Sequence, residues 1–209
     1  MSETMKDLIG VDTVESFEDL LKIRDFCFSL IPWTAKPYDM NFREDLVSLS
    51  KRFRSKELGG WCGLNATFFQ RVLWAAYGFE KSECVPFDYG VKSFTHITLI
   101  VKFKNKEYVI DPYFCRHYTY KNGIPIELKD LIYLIFNKDF EAIHETYGVG
   151  VKNVYEEYSN DFFECTPQKF FGVVKDSWLK LYGYESFMQE IFKATDPKLL
   201  MLIRKVDRS

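Results

Sequence analysis

Gly59-Gly60-Trp61-Cys62 stands immediately ahead of an apolar helical pattern running from Leu64 to Tyr77. This junction constrains the fold more than any other stretch. The glycines allow a sharp entry, and Gly78 sits where a helix C′ glycine is expected. The character then changes. Val91 to Phe103 is rich in Thr, Ile, Leu, Val and Phe, and Lys104-Asn105-Lys106-Glu107 reads as a turn. Tyr108-Val109-Ile110-Asp111 reads as the return strand, stopped by Pro112. A cysteine therefore opens a helix, His96 lies in the first strand, and Asp111 ends the second. The intervals are 34 residues from Cys62 to His96 and 15 from His96 to Asp111.

Each of these residue types has a chemical reason to be there. A thiol attacks a carbonyl carbon as its thiolate, and the exposed N–H groups of a helix N-terminus favour that anion. An imidazole takes the proton and later hands it to the leaving group. A carboxylate holds the imidazole in one tautomer and orientation. Glycines ahead of the cysteine let a substrate approach the backbone, where the Cys62 N–H is a candidate oxyanion donor. Trp61 is the candidate wall of the acyl site.

Gly60-Trp61-Cys62-Gly63-Leu64-Asn65-Ala66, with Ala75-Ala76-Tyr77-Gly78-Phe79, resembles the nucleophile helix of the transglutaminase-like superfamily. Thr95-His96-Ile97-Thr98-Leu99 and Val109-Ile110-Asp111-Pro112 resemble its His and Asp strands. The resemblance covers residues 59–114. It implies a papain-like α+β core with a triad on Cys62, His96 and Asp111. The arylamine N-acetyltransferases of the same broad superfamily are also similar here. Leu58 stands where that family has an arginine, and Leu64 where it has a glutamate. The broader superfamily is therefore the reading adopted. The resemblance implies acyl transfer from an amide, ester or thioester, as a peptidase, an amidase or an amine acyltransferase. The alternatives are an N-acetyltransferase-like enzyme with a thioester donor and a non-catalytic module that binds a peptide or partner. No metal or organic cofactor is required.

The chain of 209 residues is expected to form one domain, 1–209, in three parts. Residues 1–58 read as helical: Ser16-Phe17-Glu18-Asp19 has capping-box character, Pro32 breaks the first run, and a second polar helix is expected over 42–53. Residues 59–114 are the catalytic core. Residues 115–209 read as mostly helical, with an apolar stripe over 128–147 and helices near 167–182, 184–194 and 197–206. Aromatics are abundant, with 20 Phe, 13 Tyr and 4 Trp, enough large rings to fill a sizeable core. Lys plus Arg number 28 against 30 Asp plus Glu, so no basic excess exists to hold a nucleic acid. No apolar run approaches the roughly 20 residues of a membrane-spanning helix. The polar start shows no secretory signal, and five cysteines without C-x-x-C spacing argue against disulfides or a zinc finger. A cytoplasmic protein acting on a peptide, protein or small-molecule acyl substrate is expected.

Several residues compete for these roles. Cys27, Cys84, Cys115 and Cys165 lack the helix-start context and read as core or surface positions. His117, beside Cys115, is the main rival base, and His144 falls in the helical stripe. Trp33 could flank a cleft from the first part of the chain. Lys51, Arg52, Arg54 and Lys56 read as a solvated face. Phe170, Phe171, Trp178 and Tyr182 read as core. A turn centred on Asn105-Lys106 would put Asp111 opposite Ile100, on the same strand parity as His96 but about 13 Å along the strand from it.

Overall fold

A computed structural model describes residues 3–32, 38, 44–91, 94–136 and 139–148. The expected helices near 167–182, 184–194 and 197–206, with Cys165 and Trp33, lie outside the described residues.

The first part of the chain is helical because its starts are well capped. Helix α1 is Met5–Ile9, with Thr4 and Asp7 forming a reciprocal capping box. Helix α2 is Phe17–Leu30, where Ser16 and Asp19 do the same. It ends at Ile31, just ahead of Pro32. Helix α3 is Leu46–Arg54, capped by the Asp45 carboxylate, which accepts from the Ser48 N–H. It begins later than the sequence suggests because the cap residue is Asp45.

Helix α4, Cys62–Tyr77, is the hub of the fold. Leu64, Ala66, Phe68, Phe69, Val72 and Leu73 are buried, and so are its polar residues Asn65, Gln70 and Arg71. A helix covered on so many sides must be a core element. Phe68 and Phe69 pack with Leu20, Ile23, Phe53, Leu99, Val101 and Ile110 in one apolar cluster. Each such fully buried side chain contributes roughly 1.5–3 kcal/mol of transfer free energy. Gly78, at φ 72°, closes the helix, and its N–H returns to the Leu73 and Trp74 carbonyls.

A five-stranded antiparallel meander packs against α4, in the order β1 to β5. Its strands are β1 Cys84–Val91, β2 Phe94–Phe103, β3 Lys106–Asp111, β4 Arg116–Thr119 and β5 His144–Tyr147. The architecture is α+β, as expected. Pro86 is accommodated because β1 is an edge strand. Between β4 and β5 runs helix α5, Leu128–Phe136, followed by a short 3-10 turn at Phe140–Ala142.

Two expectations need correction. The described part of the stretch expected to be mostly helical, 115–148, holds strands as well: β4 and β5 complete the sheet, and the stripe over 128–147 divides into a helix, a 3-10 turn and a strand. The β2–β3 turn is also placed differently. Lys104 and Asn105 occupy its two central positions, with φ of 49° and 64°, and Phe103 pairs with Lys106. Positive φ at both residues is the signature of a two-residue hairpin turn that matches strand twist. The register therefore pairs Leu99 with Ile110, and Asp111 follows beside Thr98 rather than Ile100.

Lys104 bears the cost of a left-handed backbone that asparagine and glycine tolerate better. Replacing Lys104-Asn105 by Asn-Gly is expected to stabilise the protein by about 1 kcal/mol, read as a higher midpoint in chemical denaturation with an unchanged slope. An unchanged or lower midpoint would contradict the turn assignment.

Candidate functional site

The start of α4 is held by close backbone packing. The Gly60 N–H donates to the Pro32 carbonyl (2.9 Å), and the Gly59 carbonyl accepts from the Tyr38 N–H (2.9 Å). A Cβ on Gly60 would lie 2.3 Å from Leu64 Cδ2 and 2.8 Å from Leu64 Cβ. Only a glycine lets the chain pass over Leu64 and turn directly into the helix.

Trp61 is the N-cap residue, and its side chain makes no capping hydrogen bond. It is 47% exposed, and its carbonyl accepts from the backbone N–H and the side-chain amide of Asn65, both at 3.1 Å. Cys62 follows as the first helical residue. The N-cap position of α4 thus carries no Ser, Thr, Asp or Asn of the kind that caps α1, α2 and α3. Cys62 is half-buried, whereas Cys27, Cys84 and Cys115 are buried. Burial pushes the Cys84 and Cys115 thiols up to about 12, and raises that of Cys27 well above the ordinary value. Among the described residues, Cys62 is the cysteine that combines access with a helix start.

His96 pairs with Tyr89 of β1 in the β1–β2 ladder; its side chain lies outside the described residues. The corrected register brings its backbone position closer to Asp111 than the sequence suggests. Asp111 lies beside Thr98, two residues from His96 and on the same parity, which makes His96 and Asp111 diagonal cross-strand neighbours. Such positions are roughly 7–8 Å apart at the backbone, not 13 Å. Asp111 is buried at 2% exposure. Its Oδ1 accepts from the Tyr113 and Phe114 N–H groups at 3.0 Å, and its Oδ2 accepts from Arg116 Nε at 3.2 Å.

The start of α4 meets β2 one residue from His96: a Cβ on Gly63 would lie 3.6 Å from Ile97 Cδ1. Ile97, Leu99, Val101 and Ile110 belong to the face that packs with α4. His96 and Asp111 hold the alternate parity. The structure thus brings the His96 and Asp111 positions together, but on the strand parity opposite the one that packs against α4; the start of α4 meets Ile97, the chain neighbour of His96, and not the His96 position itself.

The rival base is engaged elsewhere. His117 is buried, and its Nδ1 lies 2.8 Å from Arg24 Nη1. A guanidinium can only donate, so Nδ1 accepts and the neutral ring carries its proton on Nε2. Burial first, and then the Arg24 charge, lower the His117 pKa to about 4, against a hydrogen bond with the Thr146 backbone that raises it. Arg24 also donates through Nε and Nη2 to Asp25 Oδ1, which accepts from Cys115 Sγ at 3.2 Å as well. This cluster fills its space: a Cβ on Gly148 would lie 2.3 Å from Asp25 Oδ1 and 2.5 Å from Cys115 Sγ. It joins α2 to β4 and the end of β5 and offers neither an accessible thiol nor a titrating base. His144 is exposed at the start of β5 rather than in a helix. Lys51 pairs with Glu3 and Arg52 with Glu57 at the protein surface.

Sequence reading missed Arg116 and Glu145. Arg116 faces Asp111 across the β3–β4 pair, and its Nη1 reaches Glu145 Oε1 at 2.9 Å. The signal was available in the short interval from Asp111 to Arg116, which becomes a cross-strand pair once residues 116–119 are read as a strand. Among the described residues, no group of three or more His, Cys, Asp and Glu is placed to hold a metal ion. No helix among them is long and apolar enough to cross a membrane. Compared with protein-family models, curated proteins and solved structures, the chain matches none.

His117 gives a pH dependence of stability. Its folded pKa, near 4, lies below the unfolded value near 6.5, so the unfolded chain binds the proton first. Stability is full above about pH 6.5 and falls as the pH drops from there toward 4, by up to roughly 3 kcal/mol. Denaturant titrations between pH 7 and 5 should show this slope, and His117→Gln should flatten it. An equal slope in the variant would assign the acid sensitivity to other groups.

Proposed function

We propose that the chain is a cysteine-dependent acyl-transfer enzyme of the transglutaminase-like, papain-like type. Cys62 is the nucleophile, His96 the base and then the acid, and Asp111 the residue that orients His96. Trp61, exposed beside the thiol, is the wall against which the acyl group packs.

The observation that carries this reading is the position of Cys62. It is half-buried where the other described cysteines are buried, and it opens a buried helix directly after an N-cap residue whose own side chain makes no capping hydrogen bond. That environment favours an anion on sulfur and on a developing oxyanion. The diagonal placement of His96 and Asp111 supports it further, as does the neutral, Arg24-bound state of the competing histidine. The reading requires one step beyond these placements: the His96 imidazole, at a strand position of the parity opposite the α4-facing residues, has to reach the Cys62 sulfur around the sheet at the start of α4.

The reaction follows from the roles. The thiol proton passes to His96, and the sulfur adds to the carbonyl carbon of an amide, ester or thioester. The tetrahedral oxyanion accepts from the Cys62 N–H. Collapse breaks the bond to the leaving group, which takes the proton from the imidazolium and leaves a thioester on Cys62. His96 then deprotonates water or an amine, which attacks the thioester and restores the thiol. Water makes the enzyme a hydrolase, and an amine makes it a transferase.

Alkylation with iodoacetamide as a function of pH, resolved by cysteine with peptide mass mapping, tests the assignment. Cys62 is expected to react with an apparent pKa well below the ~8.5 of a free thiol, while the buried cysteines react slowly. His96→Ala should slow Cys62 labelling at pH 6 by about tenfold or more, one pKa unit or greater. With p-nitrophenyl acetate, a stoichiometric burst of nitrophenolate is expected and should vanish in Cys62→Ala. Uniform slow labelling of all five thiols would leave a binding module without catalysis.

A further inference from the structure

Asp111 is fixed by more than its own turn. Its Oδ1 accepts from two backbone N–H groups, which closes the turn after β3. Its Oδ2 is held separately by Arg116, a residue exposed by only 2%. The guanidinium does not fork onto Asp111. It gives Nε to Asp111 at 3.2 Å and turns Nη1 toward Glu145 at 2.9 Å, so one flat cation is anchored at both ends by carboxylates on β3 and β5. Phe114 and Tyr118 lie 4.9 and 6.0 Å from its centre and restrict it further. Glu145 is in turn steadied by the Tyr147 hydroxyl, which donates to Oε2 at 2.6 Å.

Burying Asp111 and Arg116, with Glu145 partly buried beside them, is an expensive way to join strands, since apolar side chains of similar volume generally do so as well or better. The arrangement instead fixes one carboxylate oxygen on the parity of His96. We propose that Arg116 is a positioning residue of the acyl-transfer site: it sets the Asp111 carboxylate, and Glu145 sets Arg116, so that β5 governs the orienting member of the triad. This inference rests on the acyl-transfer reading. It assigns β5 a part in the chemistry although none of its residues belongs to the triad.

A double-mutant cycle on the Cys62 alkylation rate at pH 7 tests it in the full chain. Asp111→Asn should slow labelling, and Arg116→Gln should slow it by a similar factor, about tenfold. The double variant should be no slower than Asp111→Asn alone, because Arg116 acts only through Asp111. Arg116→Lys, which keeps the charge but on a single donor nitrogen, should recover part of the rate. A purely structural arginine would instead give losses that multiply, and lysine and glutamine would differ only as far as their melting midpoints do. Should Arg116→Gln fail to fold, Glu145→Gln takes its place in the same cycle, with the same non-additivity expected. Wild-type labelling in which Cys62 is no faster than the buried thiols would overturn the acyl-transfer reading itself. Fast wild-type labelling, slow Asp111→Asn and unaffected Arg116→Gln and Glu145→Gln would overturn only the positioning role.

Discussion

Helix α4 can run through the middle of the protein only because it is covered on one side by the sheet and on another by α2 and its neighbours. Its buried residues, from Leu64 to Leu73, link the helical first part of the chain to β1, β2 and β3. Everything of chemical interest hangs on that burial. A packed helix has a fixed axis, so its first turn points in a fixed direction. Gly60, pressed against Leu64, brings the chain onto that axis through Trp61, whose side chain makes no capping hydrogen bond. A helix start of this kind, whose N-cap residue spends no side-chain oxygen on the first turn, is a place where the backbone N–H groups favour an anion.

The two polar clusters buried beside this core behave differently, although each is built around an arginine. Around Arg24, the histidine is held neutral and the thiol is pushed far from ionisation, so the group serves as a fastener between α2, β4 and the end of β5. Around Arg116, both partners are carboxylates, and one of them ends the strand next to β2. The contrast shows why a Cys and a His close in sequence, as Cys115 and His117 are, say little by themselves. Burial and the nearby charges decide whether such groups titrate: at His117 burial and Arg24 act together against the charged form, and at Cys115 burial outweighs the Arg24 charge that favours the thiolate.

The helix start and the hairpin were legible in the sequence because their signals are local. Glycines bracket α4 at both ends, and β-branched and aromatic residues fill β2 and β3. The capped starts of α1 to α3 were only partly legible: Ser16 and Asp19 could be read, but Asp45 was passed over as a cap. The hairpin register was misread because its turn places lysine and asparagine, not glycine, at positive φ. Strands β4 and β5 escaped notice for another reason. Each has four residues, and β4 buries Arg116, His117 and Thr119, whose polarity hides a core strand from any hydrophobic pattern. Their partners come from α2, from β3 and from each other, contacts that only the folded chain creates. Arg116 and Glu145 were missed with them.

The two-residue connection between β2 and β3 is already as short as a hairpin allows. An extra residue there could be absorbed as a three-residue loop, leaving the ladder intact. A lost residue could not, and the strands would have to slip by one. Such a slip reverses which side chains share a face, so it would part Asp111 from the parity of His96 and turn Ile110 out of the core. This exposed loop is therefore open to lengthening but closed to shortening, an asymmetry that surface position alone would not suggest.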